Sequence, residues 1–260
     1  MTSEPRRVVI SPDRFDAVIF DLDGVITDTA RVHAPAWQHL FDEYLAAEAP
    51  PDAFSRPFSD DDYRRHVDGR ARIDGVEAFL LSRGIRIRRG APTDPPDAVT
   101  AWGLANRKNA YFLDILSSEG VAAFPASLQA VRRVRDGGLA TGVVTASRNR
   151  TQVLDAVGIT GLFDVHVDGV DAAELGLAGK PDPAPFLEAA RRLAVDPSRA
   201  VIVEDAISGV EAGRRGGFGL VIGVDRGGDG DQLRRHGADV VVNDLSVIDV
   251  TPGERIAGHD

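Results

Sequence analysis

Short runs of apolar residues alternate with helical patterns through the second half of the sequence. The runs are rich in β-branched residues and occupy residues 139–147, 163–168, 200–205, 219–224 and 238–242. An earlier run of the same character, at residues 18–21, ends in Asp21-Leu22-Asp23-Gly24. Apolar strands joined by helices are typical of a parallel sheet that is covered on both faces. The sequence therefore predicts an α/β fold with a doubly wound parallel sheet.

A long helical segment separates the first of these strands from the others. Apolar residues have the spacing of amphipathic helices in three stretches, residues 30–45, 74–84 and 101–118. No strand is convincing over these roughly ninety residues, which are too many for a simple connection. We therefore expect a sheet domain split into residues 1–29 and 120–260. The all-helical domain at 30–119 would be inserted directly after the acidic strand end, where a lid over a site would lie.

Charge and composition narrow the kinds of partner. The 260 residues carry a formal net charge of −10, which disfavours nucleic acid or an anionic membrane as the main partner. Cysteine is absent, so disulfides, a thiolate nucleophile and a cysteine-ligated zinc site are excluded. The apolar run after Arg7 is too short for a signal peptide and no run is long enough to span a membrane, so we expect a cytoplasmic protein. The polar stretches 1–12 and 251–260 are expected to be mobile.

Two aspartates mark the end of the first strand. Because side chains alternate along a strand, Asp21 and Asp23 are predicted to point to the same side, at the sheet edge where α/β proteins bind ligands. Two close carboxylates repel each other unless a cation or a proton intervenes. A divalent metal, most simply Mg²⁺, with one carboxylate as nucleophile and the other as acid and base, would explain the pair. On its own, the stretch fits a solvated acidic turn equally well.

Other predicted strand ends, and the loops after them, also carry polar groups. These are the hydroxyls of Thr145 and Ser147, Lys180 in a proline-rich loop, and Glu204-Asp205. Hydroxyls and backbone N–H groups at the start of a helix suit phosphate oxygens, and a lysine can bridge a phosphate and a carboxylate. Each group alone is explained more simply as a helix cap, a solvated lysine or an acidic loop. Their joint occurrence instead predicts one phosphoryl-transfer site with oxygen ligands for Mg²⁺.

Four segments resemble the four motifs of the haloacid dehalogenase superfamily. They are Asp21-Leu22-Asp23-Gly24-Val25, the strand ending in Thr145-Ala146-Ser147, Gly179-Lys180-Pro181-Asp182-Pro183, and Val203-Glu204-Asp205-Ala206-Ile207-Ser208-Gly209. Residues 21–37, 107–109 and 146–149 are similar, more narrowly, to the β-phosphoglucomutase-like family. The resemblance implies a helical cap that closes over a Rossmann-like core, with Mg²⁺ as cofactor and, by analogy, a monomer.

The resemblance also implies a role for each matching residue. Asp21 would be the nucleophile that forms an aspartyl phosphate, and Asp23 would be the general acid and base. The metal ligands would be Asp21, Asp23 through its backbone carbonyl, Glu204 and Asp205. The residues holding the transferring phosphoryl group would be Thr145, Ala146, Ser147, Asn149 and Lys180. The cap residues would be His33, Trp37 and Lys108 at the substrate and Thr29 at the hinge.

An arginine of the cap would hold the distal phosphate, which is not transferred. Arg72 is matched to this role through Val67-Asp68-Gly69-Arg70-Ala71-Arg72. The segment departs from the family pattern, because it contains two arginines and is followed by Asp74-Gly75-Val76. Arg70 is therefore an alternative for the same role.

The activity implied by the resemblance is the interconversion of β-D-glucose 1-phosphate and D-glucose 6-phosphate through β-glucose 1,6-bisphosphate. A disaccharide phosphorylase would supply the sugar phosphate, and the residues leave open which hexose is used. A sugar-phosphate phosphatase of the same superfamily is the alternative. A catalytically silent metabolite-binding protein is a third interpretation, against which the intact Asp21, Asp23 and Lys180 count. Dinucleotide and P-loop sites are disfavoured because the turn after Phe20 lacks Gly-x-Gly-x-x-Gly and Pro181 follows Gly179-Lys180.

Overall fold

The computed structural model describes residues 7–47 and 56–251. Within these ranges the chain forms eight strands: β1 (Val8–Ile10), β2 (Ala17–Asp21), β3 (Ala140–Val144), β4 (Val165–Val167), β5 (Ala200–Glu204), β6 (Leu220–Val224), β7 (Val240–Val242) and β8 (Ile248–Val250). The same ranges contain ten α-helices: α1 (Ala30–Ala47), α2 (Asp60–Asp62), α3 (Arg72–Ser82), α4 (Ala101–Glu119), α5 (Pro125–Asp136), α6 (Arg150–Ala156), α7 (Gly169–Leu175), α8 (Ala184–Leu193), α9 (Ile207–Arg215) and α10 (Gly230–Arg235). A π-helical turn at Tyr63–Val67 follows α2 directly.

Six parallel strands form the central sheet, in the order β4-β3-β2-β5-β6-β7. β2 lies between β3 and β5, and all five of its residues are buried. The register aligns Asp21 with Val144 of β3 and Phe20 with Val203 of β5. The carboxyl ends of these three strands therefore meet at one edge of the sheet, where ligands bind in α/β folds. The predicted parallel α/β architecture is confirmed.

The side chains of β2 enter separate hydrophobic cores on the two faces of the sheet. Val18 and Phe20 belong to the core that includes Val131 of α5. Ile19 belongs to the core that includes Phe186 of α8. Because both faces are covered by helices, the strand has no polar side, which explains its continuously apolar sequence. This double burial fixes the register that brings Asp21 to the sheet edge.

Between β2 and β3 lies the helical insertion, which comprises α1 to α4 and the π-helical turn. It has a hydrophobic core of its own, in which the ring of Phe41 lies 5.2 Å from that of Trp37 and 4.0 Å from that of Phe79, measured between centroids. The three predicted helices correspond to α1, α3 and α4, and the described residues of the insertion contain no strand. The domain division into 1–29 with 120–260 and 30–119 stays a prediction. None of the helices within residues 7–47 and 56–251 is both long and apolar enough to cross a membrane.

Two short strands near the ends of the described chain form a second sheet. β1 and β8 pair in parallel, with Val8 opposite Ile248. Val8 and Ile10 are buried while Val9 is exposed, so β1 has one covered face. The expectation of mobility for residues 1–12 is therefore wrong for Val8–Ile10, because the partner strand comes from the far end of the chain. The same expectation for residues 1–6 and 252–260 concerns positions outside the described residues.

The helix α7 has no counterpart in the sequence prediction. It begins after Asp168, whose carboxylate accepts hydrogen bonds from the backbone N–H groups of Val170 and Asp171 at 2.8 and 3.1 Å. None of its residues is buried, so it lacks the apolar periodicity from which helices are predicted. Its N-terminal cap, instead of a buried face, defines where this helix starts.

Candidate active site

Asp21 and Asp23 lie in a tight turn at the end of β2. Asp21 is 4 % exposed, and its Oδ2 accepts a hydrogen bond from the backbone N–H of Asp23 at 2.7 Å. Gly24 continues the turn with a φ of +87°, and a Cβ at this position would lie 1.8 Å from Oδ2 of Asp205. Only glycine combines this backbone conformation with so close an approach. Both carboxylates line one chamber between the sheet edge and the helical insertion.

Lys180 neutralises part of the acidic sheet edge. Its Nζ forms an ion pair with Oδ1 of Asp21 and lies 3.3 Å from Oε1 of Glu204. The same atom lies 4.8 Å from the ring centroid of Phe186, inside the core. Burial lowers the pKa of Lys180, but the two carboxylates more than offset this effect, so its net pKa lies above its ordinary value. The lysine is therefore charged at neutral pH and holds the carboxylate of Asp21 in place.

Three carboxylates could share a divalent cation. One oxygen from each of Asp21, Glu204 and Asp205 lies within 4.8 Å of the other two. Glu204 is fully buried, and its Oε2 has no hydrogen-bond partner among the described residues. Burial raises the pKa of Glu204 and that of Asp205 well above their ordinary values. This donor set fits Mg²⁺, since a hard cation would satisfy the orphaned oxygen and offset the repulsion between the carboxylates.

Hydroxyl groups hold the carboxylate of Asp23, which lies outside that group of three. Its Oδ1 accepts a hydrogen bond from Oγ1 of Thr29 at 2.7 Å, and its Oδ2 accepts one from Oγ1 of Thr145 at 2.5 Å. Nε2 of His33 lies 3.6 Å from Oδ1. Burial raises the pKa of Asp23, but His33, Thr145 and Thr29 more than offset this effect, so its net pKa lies below its ordinary value. Asp23 is thus an ionised acceptor, and its metal contact through the backbone carbonyl stays a prediction.

His33 links Asp23 to Lys108. Nδ1 of His33 lies 2.5 Å from Nζ of Lys108, which is 1 % exposed. Burial and the charge of Lys108 lower the pKa of His33 to about 4, so its neutral ring accepts at Nδ1 from Lys108 and carries its proton on Nε2, toward Asp23. Nζ of Lys108 lies 5.0 Å from the ring centroid of Trp37 and 4.9 Å from that of Phe112. Trp37 therefore supports Lys108 as well as lining the chamber.

The loop after β3 contributes Ala146 and Ser147 to the chamber. Within the loop, the backbone N–H of Ser147 donates to Oγ1 of Thr145 at 2.9 Å, and that of Asn149 donates to Oγ of Ser147 at 3.1 Å. The side-chain amide of Asn149 donates to Oδ1 of Asn109 in α4 at 2.8 Å. The side chains of Thr145 and Asn149 thus bond to other residues and do not line the chamber. Thr145 orients Asp23, and Asn149 joins the sheet edge to the helical insertion.

Two arginines face the chamber from the helical insertion. Arg70 and Arg72 both line it, and Nη1 of Arg72 is buried without a hydrogen-bond partner in the described part of the chain. Burial and the nearby Arg148 lower the pKa of Arg72 to about 10, which leaves the guanidinium charged at neutral pH. Arg72 also lines a neighbouring cavity of about 500 Å³, together with Arg148 and Lys180. A charged guanidinium with one buried nitrogen that lacks a partner among the described residues is suited to bind an anion.

Sequence reasoning does not single out Asp68 or Arg148. Asp68 lines the chamber, and burial together with Asp21 raises its pKa to about 7. Arg148 stands beside Arg72. Both residues lie inside segments that resemble the family, so their position between matched residues could have suggested them. The sequence does not show which way their side chains point. The chamber itself encloses about 50 Å³, which is room for a few water molecules.

One protein family and several known proteins are similar to this chain. The family described as haloacid dehalogenase-like hydrolase matches residues 15–217. A β-phosphoglucomutase from Mycobacterium bovis is 46% identical over 246 residues, which are 92% of this chain and 94% of that protein. A β-phosphoglucomutase from Bacillus subtilis is 32% identical over 231 residues, 88% of this chain and 90% of its own. A crystal structure of β-phosphoglucomutase from Clostridium difficile matches with a TM-score of 0.69 at 25% identity, covering 89% of this chain and 92% of that one.

Proposed function

This chain belongs to the haloacid dehalogenase-like hydrolase family, and we propose that it has β-phosphoglucomutase activity. Its relatives indicate a phosphoryl-transfer enzyme. The reaction proposed is the interconversion of β-D-glucose 1-phosphate and D-glucose 6-phosphate through β-glucose 1,6-bisphosphate. The observation that carries this proposal is that two groups suited to phosphate, one from the sheet edge and one from the insertion, line the same chamber. Asp21, which is paired with Lys180, lines the chamber from the sheet edge, and Arg72, whose Nη1 is buried without a partner among the described residues, lines it from the insertion.

The first half-reaction starts from phosphorylated Asp21 and β-glucose 1-phosphate. The C6 hydroxyl oxygen forms a bond to phosphorus while the bond from phosphorus to Oδ of Asp21 breaks. Asp23 accepts the hydroxyl proton: its carboxylate is ionised, and the hydrogen bonds from Thr29 and Thr145 hold it in place. The product is β-glucose 1,6-bisphosphate, with the 1-phosphate held by Arg72.

The second half-reaction requires the bisphosphate to bind in the opposite orientation. Asp21 then attacks the phosphorus of the 1-phosphate, and the C1 oxygen leaves with the proton that Asp23 returns. Glucose 6-phosphate is released and Asp21 is again phosphorylated, so atoms and charge balance over the cycle. Mg²⁺, held by Asp21, Glu204 and Asp205, would supply positive charge that offsets the charge on the phosphoryl oxygens.

The helical insertion would act as a cap during this cycle. We infer that residues 30–119 close over the sheet edge, with Thr29 at the hinge and Asp23 within its reach. Lys108, His33 and Trp37 would meet the sugar between the two phosphates, since all three line the chamber. Arg72 is preferred over Arg70 for the distal phosphate because it is Arg72 whose Nη1 is buried without a partner within the described residues.

An assay that follows two products together tests the proposal. Purified protein, Mg²⁺ and β-glucose 1-phosphate are mixed with a trace of the bisphosphate, and glucose 6-phosphate and free phosphate are measured over time. We expect glucose 6-phosphate to form at least ~100-fold faster than phosphate, and Asp21→Asn to lower this rate by at least ~1,000-fold, because the amide cannot carry the phosphoryl group.

Asp136→Asn is the matched control for Asp21→Asn. Asp136 is exposed at the end of α5, so the same change of charge there should leave both rates unaltered. Phosphate release that equals or exceeds glucose 6-phosphate formation would contradict the mutase and favour a sugar-phosphate phosphatase. If Asp21→Asn formed both products at the wild-type rates, the assignment of Asp21 as the nucleophile would be wrong.

A further inference from the structure

Arg226 follows β6 and reaches the turn that carries Asp23. Its Nε donates a hydrogen bond to the backbone carbonyl of Gly24 at 3.0 Å. Its Nη2 donates to the carbonyl of Val25 at 3.4 Å. The residue as a whole is exposed, so it is available for substitution without opening a core. One guanidinium thus holds two consecutive carbonyls directly after the proposed acid and base.

The same guanidinium contacts the chain segment that returns from the helical insertion. Its central carbon lies 3.8 Å from the ring centroid of Phe124, and Nη2 lies 3.5 Å from Oγ of Ser127. Ser127 in turn donates from Oγ to the carbonyl of Val25 at 2.6 Å. Arg226 therefore touches both crossings between the sheet and the insertion, the outgoing one at residues 24–28 and the returning one at residues 122–127.

Backbone hydrogen bonds join these two crossings to each other. The N–H of Asp28 donates to the carbonyl of Ala122 at 2.8 Å, and the N–H of Phe124 donates to that of Ile26 at 2.9 Å. Thr29, the next residue of the outgoing crossing, donates to Oδ1 of Asp23. A shift of Gly24 and Val25 would therefore move Asp23 directly and Thr29 through the chain.

We propose that Arg226 is a positioning residue that fixes Asp23 and both crossings in their working geometry. Arginine suits the task because its planar fork can bind two carbonyls while its face stacks on an aromatic ring. A lysine at this position would keep the charge but would lose the two-point contact and the stacking. The inference rests on the proposed function for its sugar substrate and on the observed contacts for its geometry.

Three variants test the role of Arg226. Arg226→Met and Arg226→Lys remove the fork, and Arg234→Met replaces an exposed arginine of α10 as the matched control. For both Arg226 variants we expect kcat to fall ~10- to 100-fold, since small displacements of a catalytic group have effects of this size. KM for β-glucose 1-phosphate should change less than about threefold, because Arg226 does not line the chamber itself and contributes only to a neighbouring cavity of about 330 Å³ that it shares with Asp23 and Asp205. Arg234→Met should match the wild type in both constants.

Hydrogen exchange gives a second readout. The amides of Asp28 and Phe124 should exchange at least about tenfold faster in Arg226→Met than in the wild type or in Arg234→Met, because the two crossings separate more often. A fall in Tm with unchanged kcat and unchanged exchange at these two amides would show a general structural role and would overturn the proposal. If Arg226→Met does not fold, Arg226→Lys is the variant that tests the proposal. A wild-type kcat in Arg226→Lys would equally overturn the positioning role of Arg226.

A second substrate separates this inference from the proposed function. Hydrolysis of p-nitrophenyl phosphate would use Asp21 and Asp23 as proposed, whatever the natural sugar is. A wild-type protein that hydrolyses this ester but does not convert β-glucose 1-phosphate would contradict the proposed function alone. The three variants would then be compared on the ester, with the same fall in kcat expected for the two Arg226 variants and none for the control.

Discussion

Asp21 and Asp23 share one turn, yet their surroundings push their pKa values in opposite directions. Burial raises the pKa of Asp21 to about 6, although Lys180 counteracts it. The pKa of Asp23 lies below its ordinary value because His33, Thr145 and Thr29 outweigh burial. Different environments can thus give two identical side chains different roles. In the proposed mechanism the lysine-paired carboxylate is the nucleophile and the hydroxyl-bound one handles the proton.

His33 should make the stability of the protein depend on pH. Its pKa is 6.5 as an ordinary histidine and about 4 in the folded protein, where burial and Lys108 disfavour the charged ring. Between these values the unfolded chain binds more protons, so stability decreases as the pH falls. Between pH 7 and pH 5, we expect the free energy of unfolding to fall by about 2 kcal/mol more in the wild type than in His33→Gln. Urea unfolding in the presence of EDTA, which removes any metal, measures this difference.

The exposed Gln38 on the same helix provides the control. Gln38→Ala removes no titratable group, so it should show the same pH dependence as the wild type. If His33→Gln lost as much stability as the wild type between pH 7 and pH 5, the folded pKa of about 4 for His33 would be wrong.

At the scale of an element, the turn after β2 depends on one glycine. Gly24 has a φ of +87° and its Cα faces the carboxylate of Asp205, whereas Gly158, after α6, has a φ of +68° with nothing within 4 Å of an added Cβ. Alanine at either position should cost roughly 1–2 kcal/mol of backbone strain. At Gly24 it should also displace Asp205.

The two glycines therefore form a matched pair for an experiment. We expect Gly24→Ala to weaken Mg²⁺ binding by at least ~10-fold, because changing a residue that contacts a metal ligand typically lowers metal affinity by this much. Gly158→Ala should be destabilised by roughly 1–2 kcal/mol but should bind Mg²⁺ as the wild type does. Isothermal titration calorimetry and urea unfolding distinguish the two effects. Equal affinities in the two variants would contradict the placement of the metal at Asp205.

The elements and the residues were predictable to different degrees. The strands β2 and β5, which end at Asp21 and Glu204, were predictable because burial on both faces of the sheet gives a continuous apolar run. The pairing of β1 with β8 was not, because three-residue strands from the two ends carry no local signal. Asn149 matched a motif, but its side chain bonds to Asn109, whose position depends on how the insertion packs. Arg226 lies in a loop without a periodic pattern, so only coordinates reveal its contacts.

At the scale of the whole molecule, three polar contacts between described residues join the helical insertion to segments of the sheet domain that are distant in sequence, besides those that His33 and Thr29 make with Asp23. Asn109 of α4 accepts from Asn149 at 2.8 Å, and Oγ of Ser208 donates to the backbone carbonyl of Asp68 at 3.1 Å. Nε of Arg64 lies 3.4 Å from Oδ2 of Asp229, but this pair is substantially exposed and contributes little. Contacts of this kind would suit the proposed cap, which would open and close in every catalytic cycle.

Removing the contact of Asn109 should admit water to the proposed reaction. We expect Asn109→Ala to raise the ratio of free phosphate to glucose 6-phosphate at least about threefold, because a less tightly closed cap excludes water less well. The assay is the two-product measurement described above. Asn106→Ala is the control, since among the described residues the Asn106 amide bonds only to the carbonyls of Pro92 and Asp94 within the insertion. An equal shift of the ratio in both variants would contradict a specific role for the bond between Asn109 and Asn149.

The small volume of the chamber has a consequence for how the enzyme would share its intermediate with the solution. A volume of about 50 Å³ is far below the few hundred Å³ that ligand pockets usually enclose. A sugar with two phosphates could therefore enter or turn around only while the insertion is displaced from the sheet edge. At each such opening, the bisphosphate would either bind again or diffuse into the solution. In the proposed mechanism, bisphosphate that escapes would form a shared pool in solution from which all enzyme molecules could be phosphorylated. The fraction of active enzyme would then be set by the concentration of this pool as well as by the amount of protein.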